Sequence, residues 1–242
     1  MLGLVAASSL GTVAAVVAGY NTMAPQSQLY GRTFIGLKPG NRQLALTFDD
    51  GPNDPYTHRI LEVLARHSVR ATFFVIGRFV KQRPQIAREI RRAGHIVGNH
   101  TYSHPNLIFQ SQSKLRRQIR DCERAYEDAV GEKLAPLFRP PYGGRRPAVL
   151  RTLRSLALTP VMWSASAWDW RLKSAGEIER KVVSQIRGGD VILMHDGGHT
   201  EFAVNRVATV EALDRLVARY LGEGYRFVTI PEMVPTKGSG RK

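Results

Sequence analysis

From residue 44 onward, short apolar runs alternate with amphipathic stretches, and this alternation limits the possible folds more than any other feature of the chain. Strand-like runs fall at Leu44–Phe48, Ala71–Ile76, His95–Val97, Leu137–Phe138, Leu158–Trp163, Asp190–Met194 and Tyr225–Ile230. Between most of them, apolar residues recur three and four positions apart, the spacing of a helix with one buried face. Ile86 and Ile90 show it, as do Val207, Val210, Leu213, Leu216, Val217 and Tyr220. Pro84 and Pro147 suit first helical turns, where a missing N–H costs nothing, and Gly94 suits a C-terminal stop. Strands separated by helices pair in parallel, because the crossover returns the chain to the same edge of the sheet. The expected fold is therefore α/β, a distorted (β/α) barrel of about seven parallel strands. A chain of 242 residues suits one sizeable domain, and no internal repeat marks a second.

Polar clusters follow the apolar runs. Asp49-Asp50 ends the first run, and His100-Thr101-Tyr102-Ser103-His104 follows the third. Arg139-Pro140-Pro141-Tyr142-Gly143 follows the fourth, Trp168-Asp169-Trp170 the fifth, and His195-Asp196 ends the sixth. In a barrel of parallel strands, such clusters converge on one mouth. Two neutral imidazoles and one carboxylate form a three-ligand set for a divalent ion with a position left for water. A second carboxylate beside that set is free to accept a proton. The pattern points to a metal-dependent hydrolase. A glycosidase would instead need two carboxyls about 5–9.5 Å apart across a sugar and no metal ligands, which fits the adjacent Asp49-Asp50 less well.

Composition narrows the partners. A formal charge of +15 favours anionic surfaces, but no helix-turn-helix, zinc-finger or aromatic RNA-binding signature accompanies it, so nucleic acid is not an expected partner. Cys122 is the sole cysteine, which excludes an internal disulfide and a thiolate metal cluster, and it sits in a helical pattern that suits a structural role. Residues 1–20 contain an uncharged stretch, Leu2 to Ala18, that reads as a signal peptide or a membrane anchor, so an exported or membrane-tethered protein facing the cell envelope is expected. Residues 21–41 read as a linker, 42–235 as the catalytic domain and 236–242 as a flexible basic tail. A monomer is expected.

The clusters together resemble the five motifs of the polysaccharide deacetylase family, metal-dependent carbohydrate esterases acting on chitin, peptidoglycan N-acetylglucosamine or acetylxylan. The resemblance runs from about Gln43 to Pro235 and covers the motifs in order. It implies that Asp49, in Thr47-Phe48-Asp49-Asp50-Gly51-Pro52, is the general base and that Asp50, His100 and His104 hold the metal. It further implies that Arg139 contacts the catalytic aspartate and that the Tyr142 backbone N–H helps hold the oxyanion. By the same resemblance Asp169 orients His195, Trp170 walls the substrate groove, Leu193 lines the acetyl pocket and His195 is the general acid. Where family members often carry an acidic residue three positions before the Asp-Trp pair, this chain has Ser166, which bears on how Arg139 and His195 are oriented.

The implied reaction removes N-acetyl groups from an N-acetylglucosamine polysaccharide, peptidoglycan or chitooligosaccharide, and releases acetate. O-acetyl ester hydrolysis on a xylan-type glycan and non-catalytic wall binding by a degenerate site are the alternatives. Zinc is the first choice of ion, with cobalt, nickel and manganese compatible with the same ligands. Arg145-Arg146 stands near the expected mouth, either to favour an anionic glycan or simply as surface charge. Trp163, Trp168 and Trp170 suit either core packing or sugar stacking. His58, His67 and His199 match no motif and are expected at the surface.

Overall fold

The computed structural model describes residues 16–234. Most of the stretch expected as a signal peptide or anchor, and the tail 236–242, lie outside the described residues. After a short helix over 16–23 (α1), the chain runs β1 (Gln43–Asp49), α2 (Tyr56–Arg66), β2 (Thr72–Val75), α3 (Gly77–Gln82), α4 (Pro84–Arg92), β3 (Ile96–Asn99) and α5 (Gln112–Val130). It continues through β4 (Leu137–Phe138), α6 (Pro147–Ser155), β5 (Thr159–Pro160), β6 (Ala165–Ser166) and α7 (Ala175–Val183). It ends with β7 (Val191–His195), α8 (Val207–Gly222), β8 (Arg226–Phe227) and α9 (Ile230–Met233). The strand order is β5-β4-β3-β2-β1-β7-β6, with β8 beside β1, and every pairing is parallel. The expected parallel barrel is therefore present as a curled sheet. Its short eighth strand, β6, was not anticipated, because two residues carry no periodicity to read.

Period-two alternation sorts the central strand into two faces. Leu44, Leu46 and Phe48 point outward into the main core with Ile60 and Leu64 of α2 and Leu213, Leu216 and Val217 of α8. Ala45 points inward and packs with Phe74, Leu137, Val161, Val191 and Val228. The same parity sends Thr47 and Asp49 inward. In β7, Ile192 and Met194 join the outer core. Val191, Leu193 and His195 are left to face the barrel interior. Because Thr47 pairs with Leu193 and Asp49 with His195, both strands deliver their polar ends at one level.

Residues 21–41, expected as a linker, lie against the domain. The curled sheet is not paired between β5 and β6. Phe34 forms a parallel bridge with Val161 just beyond β5, and Gly36 an antiparallel bridge with Asp190 just before β7. The Phe34 N–H donates to Pro160 O at 2.8 Å, and the Leu37 N–H to Gly189 O at 2.7 Å. Arg145 fastens the start of this strap. It is buried, and its guanidinium donates to Ala24 O (2.6 Å), Ser27 O (2.7 Å) and Gly143 O (3.1 Å). Of the two arginines expected at the mouth, Arg145 is thus committed to backbone carbonyls. Arg146 donates to Gln110 O at 2.7 Å. Arg145→Ala leaves several carbonyls unpaired and is expected to cost about 3 kcal/mol of stability, read as a lowered denaturation midpoint with the metal-binding stoichiometry unchanged.

Candidate active site

The loops after β1, β3, β4, β6 and β7 bring the predicted residues together around a cavity of about 620 Å³. Its walls include Asp49, Asp50, His100, His104, Tyr142 and His195. Backbone strain is concentrated there. Asp50 (φ 73°), Thr101 (φ 70°), His104 (φ 59°), Tyr142 (φ 58°) and Trp168 (φ 52°) all adopt left-handed geometry. Each such residue costs about 1–3 kcal/mol and persists only where surrounding contacts enforce it. One enforcing contact is at Gly51, where any Cβ would collide with the buried Asp196 carboxylate. That carboxylate in turn accepts from Thr57 Oγ1 at 2.6 Å, and burial pushes its pKa up to about 7.

Asp50, His100 and His104 are all buried, and one donor atom from each lies within 4.8 Å of the others. Asp50 Oδ1 is 3.3 Å from His104 Nε2 and 3.5 Å from His100 Nε2. That oxygen has no hydrogen-bond partner among the described residues. A buried carboxylate oxygen left without a donor and facing two imidazole nitrogens suits a cation. His100 Nδ1 donates to Arg139 O at 2.7 Å, which directs the Nε2 lone pair toward Asp50. Burial, together with the neighbouring His100, drives the His104 pKa down to about 3, so its imidazole is neutral and able to ligate. Burial raises the Asp50 pKa, but the adjacent His100 and the other surrounding imidazoles outweigh it and hold the carboxyl well below the usual range.

Two ion pairs flank this set. Arg139 is fully buried and donates to Asp49 Oδ1 at 2.7 Å. The rest of its fork is occupied by Thr47 Oγ1 (2.8 Å), Val161 O (3.3 Å) and Met162 O (3.1 Å). Thr47 Oγ1 itself donates to Ile192 O at 2.7 Å. The acidic residue missing at Ser166 is therefore not needed to orient Arg139. The Ser166 hydroxyl is buried without a hydrogen-bond partner among the described residues. Asp169 accepts from His195 Nδ1 and from the His195 backbone N–H, both at 2.8 Å. Thr209 Oγ1 adds a third donor at 3.1 Å. Burial opposes charge on both members of this pair, yet their mutual attraction prevails. It lowers the Asp169 pKa and raises that of His195.

Aromatic residues bound the mouth. Trp170 is 48% exposed, with its ring edge-on to His195 at 5.1 Å, and Tyr142 is 46% exposed. Trp163 and the almost fully buried Leu193 line the floor. Trp168 is partly exposed and lies under Lys181. His58 and His67 are paired with Glu89 (2.8 Å) and Asp214 (2.7 Å), away from the cavity. His199, expected as a surface residue, is partly exposed and also reaches the mouth, where it stacks on His104 at 4.6 Å. Sequence reading also missed Thr47, Arg206 and Thr209. Arg206 is buried and braces the site by donating to Gly197 O (2.9 Å) and Asp169 O (3.0 Å).

A parallel α/β barrel with a buried Asp-His-His set between an Arg-Asp pair and an Asp-His pair has the layout of a metal-assisted hydrolase. Residues 36–161 match the profile of the family described as Polysaccharide deacetylase. A peptidoglycan-N-acetylglucosamine deacetylase of Bacillus cereus is 39% identical over 211 residues, covering 86% of this chain and 73% of the relative. A chitooligosaccharide deacetylase of Sinorhizobium fredii is 38% identical over 208 residues, covering 84% of this chain and 97% of that protein. The Bc1960 peptidoglycan N-acetylglucosamine deacetylase superposes with a TM-score of 0.78 at 35% identity, over 85% of this chain and 93% of its own. A CE4 family pseudoenzyme of Bacillus anthracis, BA3943, superposes with a TM-score of 0.76 at 28% identity, over 89% of this chain and 80% of its own, so the fold alone does not certify activity. The chain belongs to the polysaccharide deacetylase family, whose members are metal-dependent.

Proposed function

We propose that this protein removes N-acetyl groups from an N-acetylglucosamine polysaccharide, peptidoglycan or chitooligosaccharide, releasing acetate. The reading is supported above all by the buried Asp50-His100-His104 set, whose donor atoms lie within 4.8 Å of one another. A divalent ion held there, zinc by first choice, would supply Lewis acidity to an acetamide carbonyl and acidify water near pH 7. The remaining steps fall to side chains. Asp49, with one oxygen engaged by Arg139, keeps the other for a proton taken from attacking water. The Tyr142 backbone N–H would share the charge that builds on the carbonyl oxygen, and such a donor is typically worth about 10²–10³ in rate.

His195 favours an amide substrate. An amine leaves readily only once protonated, and Asp169, by raising the His195 pKa, favours the cationic imidazole that can protonate it. An ester's alkoxide needs that proton far less. Trp170 and Tyr142 present flat faces at the mouth that suit a sugar ring, while Leu193 gives the acetyl methyl an apolar floor. The apolar stretch 2–18 supports an exported or tethered protein meeting acetylated glycan at the envelope. Among the described residues no helix is long and apolar enough to cross a membrane.

Acetate release across a panel of N- and O-acetylated glycans, with metal content measured on the same samples, tests the assignment. Release from N-acetylated oligomers is the expected result, and appearance of reducing ends without acetate would overturn it. A pH profile tests the acid. His195 must be protonated, so activity is lost as pH rises through its elevated pKa. Asp169→Asn removes the group that raises this pKa and is expected to move the alkaline limb to lower pH while reducing kcat.

A further inference from the structure

The loop between β7 and α8 brings a residue to the site that none of the motifs accounts for. His199 stacks on the ring of the metal-set residue His104 at 4.6 Å and 29°, and stands edge-on to Tyr142 at 5.3 Å. Its Nδ1 is 3.9 Å from Asp50 Oδ2, while the other oxygen, Oδ1, faces the nitrogens of His100 and His104. The two oxygens of Asp50 therefore look in different directions, one into the metal set and one toward His199.

The backbone that carries His199 is fastened on both sides. Arg78 Nη2 donates to His199 O and, at 3.3 Å, to Thr200 O. Phe202 packs on Phe79 at 4.5 Å, with the Arg83 guanidinium over its ring at 4.9 Å. Asn53, three residues beyond Asp50, accepts from the Ala203 N–H at 2.7 Å and donates to Val204 O at 3.0 Å. At Gly198 a Cβ would collide with the Val204 side chain, so the loop can close this tightly only with glycine there. The turn bearing Asp50 and the loop bearing His199 are thus joined through Asn53.

We propose that His199 is a positioning residue of the metal site. Its Nδ1 stands 3.9 Å from Asp50 Oδ2, so a small closing movement when an ion binds would let it donate to that oxygen and leave Oδ1 as the oxygen offered to the ion. A ligating carboxylate without such a partner is free to swing and to bind through both oxygens. The stacked ring also covers His104 and limits its rotation. This inference rests on the metal-site reading given above.

The test is zinc affinity, measured by competition with a chromophoric chelator, together with the visible spectrum of the cobalt-substituted protein. Wild type, His199→Ala and His199→Gln are compared, each checked for native thermal melting. His199→Ala is expected to bind zinc about 10–100-fold more weakly, the usual effect of losing such a partner. Its cobalt bands should weaken as the coordination number rises, and His199→Gln, which restores an N–H donor, should recover most of both properties. Zinc affinity and cobalt spectra unchanged in His199→Ala would overturn the proposal. A wild-type protein that binds neither ion would overturn the metal-site reading itself, a separate and recognisable failure.

Discussion

Asp49→Asn is expected to lower kcat for acetate release by about 10²–10⁴ while leaving bound metal at the wild-type level. The substitution keeps the shape of the side chain and removes its capacity to take a proton. An amide oxygen can still accept from Arg139 Nη1, now 2.7 Å from Asp49 Oδ1, so the buried guanidinium keeps a partner. Asp49 is not one of the three residues whose donor atoms converge in the Asp50-His100-His104 set. Steady-state kinetics with elemental analysis separate the two functions. Undiminished turnover would remove Asp49 from the role of base, and loss of metal would place it among the ligands.

Chelation is expected to reduce acetate release to background, and one equivalent of zinc to restore it. The stripped protein should also melt at a lower temperature. An ion bound only by the folded state adds about 2.7 kcal/mol when present at 100 times its Kd. The loss should be irreversible in His100→Ala. That residue offers Nε2 to the set and uses Nδ1 to grip Arg139 O at 2.7 Å, so removing it disturbs both the ion and the backbone of the arginine that holds Asp49. Activity that survives exhaustive chelation would point to a different reaction.

Much of this site was legible because its chemistry sits in short contiguous motifs at the ends of strands. The apolar run Leu44–Phe48 fixed the parity that turns Asp49 inward, and the four-residue spacing of His100 and His104 marked a candidate ligand pair. What stayed hidden depends on contacts through space. Thr47 reads as ordinary strand packing until Arg139, 92 residues away, is seen on its hydroxyl. His199 reads as a surface residue because its importance comes from a loop whose course is fixed by Arg78, Phe79 and Asn53. Arg145-Arg146 misled in the other direction. A doublet of cations suggests an exposed basic patch, yet Arg145 is almost fully enclosed by carbonyl oxygens. Composition reports charge, but it cannot report which charges have been consumed by the backbone.

The strap over 24–37 changes what an upstream attachment would mean. Its first turn is held by Arg145 beside Gly143, a neighbour of Tyr142, and its end is bonded to Gly189. Anything carried ahead of it connects to the catalytic mouth by a stiff arm rather than a slack leash. If the chain were held at a surface by its amino end, its reach to a glycan strand would be counted from the strap's first turn beside Gly143 and not from residue 42.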